Sequence, residues 1–365
     1  MDRRDFLGTT GATAAGLAIS SVPTLANDEV LSAPAIMLSA GRAEPLLLGM
    51  SYPIDPSPIG DRCQRLIQRI AAATEGRIRF KLQLMDSSGM DAVAMGQIDA
   101  YLSPEPQALK QHAGFAYFGG LPGNEGMSAN VHQAWLRVGG GQMLWDHLGS
   151  EFGIKPLLIG HTGRSAGLWL KRPLAPDATD LRGQRLSVWG LGADVVRALG
   201  AETSDVAAHD LANALTDQRL TGAEWGDLAG DLALGLHQAA SLVLTPGVTQ
   251  HGTALTLGLR VQLWERFSVS DRTIIEACAV EALQHGQAEQ MAMAPVARHV
   301  LRGRSGGTPE FEHQSIAREI DRVSEDVMRA YGQTDLVTER LHDSFYAFKA
   351  NALSFARIDD NQPSV

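Results

Sequence analysis

The order of apolar and polar positions divides the chain into elements before any side-chain chemistry is considered. Pro45–Ser51 is a short apolar run that predicts a strand. Ile59–Ala73 repeats apolar residues at helical spacing, with Cys63, Leu66, Ile67 and Ile70 on one face. Glu75-Gly76 closes that helix, and Arg77–Leu84 alternates as a strand. A compact segment over Asp86–Gly96 then leads to a further strand, Gly96–Ala100. Strand, helix and strand in this order predict a βαβ unit and a parallel sheet.

Val131–Leu148 has helical periodicity interrupted by Gly139-Gly140-Gly141, and Pro156–Gly160 and Gly167–Leu170 predict strands. Gln184–Trp189 is a strand leading into the helix Gly192–Leu199, and His209–Thr216 is another helix. Three amphipathic helices follow over Ser270–Met293, Pro309–Met328 and Val337–Phe355. The fold class is α/β: two lobes with a helical C-terminal region, and no internal repeat of the solenoid kind.

Composition narrows the function. The 365 residues suffice for two ordinary domains. A net charge of −10 argues against the basic footprint of a nucleic-acid binder. No apolar run is long enough to cross a bilayer. At the start, Arg3-Arg4-Asp5-Phe6-Leu7 and a Gly/Ala/Thr-rich stretch ending near Ala26 predict a twin-arginine signal peptide over residues 1–26. Residues 27–44 read as a linker, 45–356 as the folded domain and 357–365 as a tail. Cys63 and Cys278 are too few for a disulfide framework. They read as small apolar residues on helices, with a pairing across the fold left open.

Candidate chemistry centres on Thr221–Thr253. It holds Glu224-Trp225, then Asp227 and Asp231 at helical spacing, and an apolar run Ala239–Leu244 that ends at Pro246-Gly247. A carboxylate beside a large aromatic, next to a Gly/Pro turn, suits a small-ligand or cation site. Periodicity alone supports an alternative, a helix whose acids face water and whose Trp225 lies in the core. Gly163-Arg164-Ser165-Ala166-Gly167 matches the nucleophile elbow of α/β-hydrolases, with Asp231 and His251 downstream. The elbow needs a helix directly after the serine, whereas Leu168-Trp169-Leu170 predicts a strand. Gly190-Leu191-Gly192 is a fragment of a dinucleotide loop with Val195 at the third glycine, and no cofactor fingerprint is present.

Several short motifs in fixed order carry a resemblance. They are Gly119-Gly120-Leu121-Pro122-Gly123, Trp135 with the triple glycine, His161-Thr162-Gly163 with Trp169, and Asp180-Leu181-Arg182-Gly183. Glu224-Trp225, Asp231, Leu234-Gly235, Pro246-Gly247 and Asp343–Lys349 complete the series. In this order they resemble the periplasmic solute receptors of TRAP transporters, the DctP family, and within it the 2-oxoacid-binding TakP-like branch. The resemblance spans roughly residues 46 to 356. It implies a two-lobe periplasmic-binding-protein (Venus-flytrap) fold, a small organic solute in the cleft and a membrane permease as partner. It implies no catalysis. It places Glu224 and Trp225 in the cleft, expects no cofactor, and leaves open both a monovalent or divalent cation held by Ser165, Glu224 and Trp225 and a homodimer.

The chain departs from that pattern at the site. Ser165 stands where the family has a glutamine, and Ser187 where it has the arginine that grips a carboxylate. Arg164, Arg185 and Arg260 are the candidates to replace that charge. Arg185, two residues from Ser187, is expected on the same strand face about 7 Å away. Val248-Thr249 replaces a larger aromatic pair. The expected ligand contacts are therefore Arg164, Ser165, Arg185, Ser187, Glu224, Trp225 and Val248, around a solute larger or less anionic than a simple 2-oxoacid. The other readings kept are a divergent exported hydrolase using Ser165 and a cleft protein that no longer serves transport.

Overall fold

A computed structural model describes residues 44–50, 58–85, 89–303 and 310–359. The expected signal peptide, the linker up to Ala43 and the last residues of the tail lie outside the described residues. Arg42–Val365 clusters as one unit.

The strands are β1 Leu46–Met50, β2 Phe80–Leu84, β3 Ala100–Pro104, β4 Ile154–His161, β5 Leu168–Leu170, β6 Arg185–Ser187, β7 Glu202–Thr203, β8 Gly222–Ala223, β9 Leu242–Thr245, β10 Ala254–Arg260 and β11 Glu310–Glu312. The helices are α1 Pro58–Ala73, α2 Gly89–Ala94, α3 Ala129–Arg137, α4 Gly141–Glu151, α5 Leu191–Ala198, α6 Leu211–Thr216, α7 Leu228–Ala233, α8 Leu236–Ala239, α9 Val261–Arg266, α10 Val269–Arg302, α11 Gln314–Gly332 and α12 Leu336–Asp359.

Two mixed sheets result, ordered β2-β1-β3-β10-β4 and β11-β9-β5-β8-β6-β7. β1, β2 and β3 are parallel around α1, the predicted βαβ unit. Cys63, Leu66 and Ile70 of α1 are buried with Leu48 of β1 and Leu257 of β10 in one core cluster. Both cysteines are free and buried, and burial pushes the Cys63 thiol up to about 12. A second cluster stacks Phe118 between Trp135 and Trp145, at centroid distances of 5.5 and 4.8 Å, with Phe345 of α12 against Trp135. The second sheet has its own clusters, one around Leu186, Val195 and Val248, the other around Trp169 and Leu236.

The third strand begins later than its sequence predicts. Gly96 (φ +71°) ends α2, and Gln97 N–H turns back to the Ala92 carbonyl. Asp99 binds Leu47 N–H through its carboxylate, so pairing with β1 starts near Ala100. α12 runs to Asp359, into the segment expected as a tail.

Two short crossings join the sheets directly, residues 162–167 between β4 and β5 and 246–253 between β9 and β10, while a third, longer connection runs from β10 by way of α9 and α10 to β11. The two short crossings pair with each other, Thr162 N–H to the Thr253 carbonyl at 2.8 Å and Thr253 N–H to the Thr162 hydroxyl at 2.9 Å. Gly252 has φ +76°, and a Cβ there would lie 2.0 Å from the Gly163 carbonyl oxygen. Only glycine permits that approach.

Candidate functional site

β8 ends at Ala223, and the next residue turns its carboxylate toward both crossings. Glu224 is 2% exposed and accepts four hydrogen bonds. Oε1 takes the Ser165 hydroxyl at 2.8 Å from the first crossing. It also takes Thr249 N–H at 2.8 Å and the Thr249 hydroxyl at 2.6 Å from the second. Oε2 takes Val248 N–H at 2.6 Å. Gly247 makes the fit possible, since a Cβ there would stand 2.8 Å from both Glu224 Oε1 and Ser165 Oγ. The Glu224 N–H donates to the Ser187 carbonyl, which seats β6 beside the same turn.

The alternative helical reading of this stretch is corrected. Helix begins only at Leu228, with Asp227 as its N-cap accepting from Gly230 N–H. Asp231 is fully buried rather than facing water. It accepts the Trp169 indole N–H at 2.7 Å and Gly226 N–H at 3.1 Å. Burial pushes the Asp231 carboxyl well above its ordinary range; the two donors lower it and the neighbouring Asp227 and Glu224 raise it. Trp225 is half-buried and packs on core clusters of both sheets, edge-on to Trp189 with centroids 4.3 Å apart.

The expected site residues do not all converge. Ser165, Glu224 and Val248 meet, but Val248 contributes its N–H while its side chain is buried in the core of the second sheet. Ser187 is buried beside them. Arg185 does not join them: its guanidinium donates to the Gln218 carbonyl at 2.6 Å, before the start of β8, while Glu224 follows its end. Two residues of spacing put Arg185 and Ser187 at opposite ends of a short strand, which face alternation alone does not reveal. Arg260, at the end of β10, is also withdrawn, ion-paired with Asp99 just before β3. Arg164 is exposed, and no hydrogen bond or ion pair engages it among the described residues.

One cation escaped sequence reasoning. Arg62 of α1 is 3% exposed and donates from Nη1 to the His161 carbonyl at 2.9 Å, where Gln290 of α10 also donates at 2.6 Å. Burial pulls the Arg62 pKa down, while Glu289 and Asp227 push it back up. His161 and His132 are buried with ring nitrogens 3.1 Å apart, and His132 Nε2 lies 3.1 Å from the Tyr117 carbonyl. That carbonyl requires a donor, which leaves His132 Nδ1 to accept from His161 Nε2. Burial drives both imidazoles down, His132 to about 4, so the pair is neutral at pH 7. α1, β4 and α10 thus lock the point where the chain leaves the first sheet. Arg62 sits on a helix whose apolar stripe is otherwise ordinary, and only the close approach of Gly160 and Gly286 reveals its slot.

Among the described residues Ser165 has no histidine as a hydrogen-bond partner. It donates to Glu224 and accepts from Gly167 N–H at 3.1 Å, and strand β5 follows where a nucleophile elbow needs a helix.

Crossings between two α/β sheets, with an acid–indole pair at a strand end between them, define a two-lobe binding-protein architecture. The solved structures agree. A TRAP transporter solute-binding protein from Bordetella bronchiseptica RB50, with copurified calcium and picolinate, superposes with TM-score 0.80 at 21% identity, over 87% of this chain and 94% of that one. One from Pseudoalteromonas atlantica T6c, with sodium and pyruvate, gives 0.79 at 18% identity, over 86% and 96%. The fold is therefore that of the TRAP solute-binding proteins, as the resemblance implied. Along the sequence, a monocarboxylate 2-oxoacid-binding periplasmic protein from Nostoc sp. (strain PCC 7120) is 24% identical over 372 residues, covering 99% of this chain and 97% of that protein. No family model matches the chain.

The residues expected to hold a cation, Ser165, Glu224 and Trp225, do not fit one. A hard cation needs oxygens with open lone pairs, several at once. Here Oε1 of Glu224 is surrounded by three donors, and a fourth, a main-chain N–H that cannot turn away, sits on Oε2. Ser165 Oγ is itself engaged on both sides. Among the described residues no group of three His, Cys, Asp or Glu is placed to hold a metal ion.

Proposed function

We propose that the chain is an exported solute-binding receptor of a TRAP-type secondary transporter, and not an enzyme. It captures a small organic solute between its lobes in the periplasm, which it reaches by the twin-arginine route, and passes it to a membrane permease. The observation that carries this reading is the placement of Glu224-Trp225 at the carboxyl end of β8, between the two crossings. Crevices outside strand carboxyl ends are where α/β sheets take ligands. The named relatives support the solute class, since they hold picolinate or pyruvate or are named for 2-oxoacids.

In this reading a solute stabilises the closed lobes by binding them better than the open ones. The Trp225 ring supplies apolar surface. Ser187 lines the same strand end, and Arg164 meets a carboxylate in place of the family arginine.

Native mass spectrometry of the protein from its own periplasmic fraction tests the proposal. A small organic molecule should copurify, and the protein should vanish from that fraction in cells lacking the twin-arginine route. Ester hydrolysis abolished by Ser165→Ala, with no copurified molecule, would replace the receptor reading with the hydrolase one.

A further inference from the structure

We infer that this chain captures its solute without a metal ion, because the Ser165 and Thr249 hydroxyls cover the face of Glu224 that a cation would need. The inference rests on the receptor reading and departs from the relatives that hold calcium or sodium.

The geometry separates what is fixed from what is specific to these side chains. Val248 N–H and Thr249 N–H belong to the main chain of the second crossing and clamp one oxygen each. An acid held by two amides alone keeps lone pairs for a cation, because each carboxylate oxygen accepts about two contacts. The hydroxyls remove that capacity at Oε1 and leave a single lone pair on Oε2 beside Val248 N–H, where a hard cation needs several oxygens at once. Ser165 reaches Oε1 from one crossing at 2.8 Å and Thr249 reaches it from the other at 2.6 Å. A cation at Oε1 would have to displace both, and Glu224 is 2% exposed, so it would enter dehydrated as well.

Sequence supports the same point from a second direction. Serine at 165 is too short to act as a glutamine-like ligand from a distance, but its length suits a direct bond to Glu224. The four donors already balance the carboxylate where it lies. A solute carboxylate would then find its counter-charge at Arg164, the cation beside Ser165 with no partner among the described residues.

The test is a calcium titration of the protein, stripped with a chelator and followed by calorimetry and by melting temperature, with pyruvate melts in calcium and in chelator run alongside. The parent should neither bind calcium nor melt higher in it, and any pyruvate shift should be the same in both buffers. The double variant Ser165→Ala, Thr249→Val bares Oε1 and keeps the two amides. Its calcium affinity should rise on the order of tenfold for each hydroxyl contact that no longer has to be broken. Calcium binding by the parent that Glu224→Gln abolishes would overturn the inference. So would a double variant that folds and remains blind to calcium. The receptor reading fails separately, through the absence of any copurified molecule, whatever calcium does.

Discussion

Glu224 and Asp231 are both buried carboxylates on one short stretch, and they are held in opposite ways. Glu224 gathers donors from two distant segments, Ser165 in one crossing and Val248 and Thr249 in the other. Asp231 gathers its donors within the second lobe, from Trp169 of β5 and from Gly226 just upstream. The first acid fastens the crossings to β8. The second holds the turn that carries Trp225. One residue class therefore reports long-range geometry at one position and local framing at the other, and the donors' origin decides which.

The largest expected effect comes from breaking the first set. Glu224→Ala strands two main-chain N–H groups and two hydroxyls in a buried site, which should cost about 3–5 kcal/mol of unfolding free energy. Glu224→Gln keeps one acceptor oxygen and turns an amide donor toward the other donors, for about half that loss. Urea unfolding at neutral pH measures both, and a drop below about 1 kcal/mol for the alanine variant would show that the four contacts hold little.

Asp231→Asn is the next largest, and its sign depends on pH. A carboxyl raised above its ordinary 3.8 by burial binds a proton more tightly in the folded chain than in the unfolded one. Its contribution is fully present below the unfolded value and is lost as pH rises through the folded value. Asparagine still accepts from Trp169 but sets a donor against Gly226 N–H, for about 1–2 kcal/mol at pH 4. That deficit should shrink as pH rises toward 8, because only the parent loses stability there. Asp227, also raised by burial, contributes a decline of the same sign in both proteins. Melts across this range decide the matter, and a deficit that grows with pH would mean that Asp231 is held as an anion.

The smallest effect is expected at Arg164, which belongs to neither set. Arg164→Ala should leave stability within about 0.5 kcal/mol of the parent. It should reduce the melting shift produced by pyruvate. An unchanged pyruvate shift would remove Arg164 from the site.

Much of this architecture was legible along the chain. The apolar spacing of α1, the glycine break between α3 and α4, and the strands β4 and β5 all follow from period and punctuation, which are local properties. The Glu224-Trp225 pair was legible as a site because an acid beside an indole at a Gly/Pro turn is unusual chemistry for a solvated helix. Its partners were less legible. Thr249 read as lost aromatic volume, yet it supplies two of the four donors. Arg185 read as an equivalent of Ser187, since alternation gives the face but not which end of the strand the side chain reaches.

By itself the sequence determined the elements, the parallel start of the first sheet, and a motif order that resembles one family of receptors, because each depends on neighbours within a few turns of chain. Only the tertiary structure decided that Asp231 is buried, that Arg62 is locked at the crossing and that four donors meet on Glu224. Those outcomes depend on groups such as Ser165, Thr249, Trp169 and Gln290, brought from distant segments, and a carboxylate or a guanidinium takes its character from the donors and charges that reach it in space.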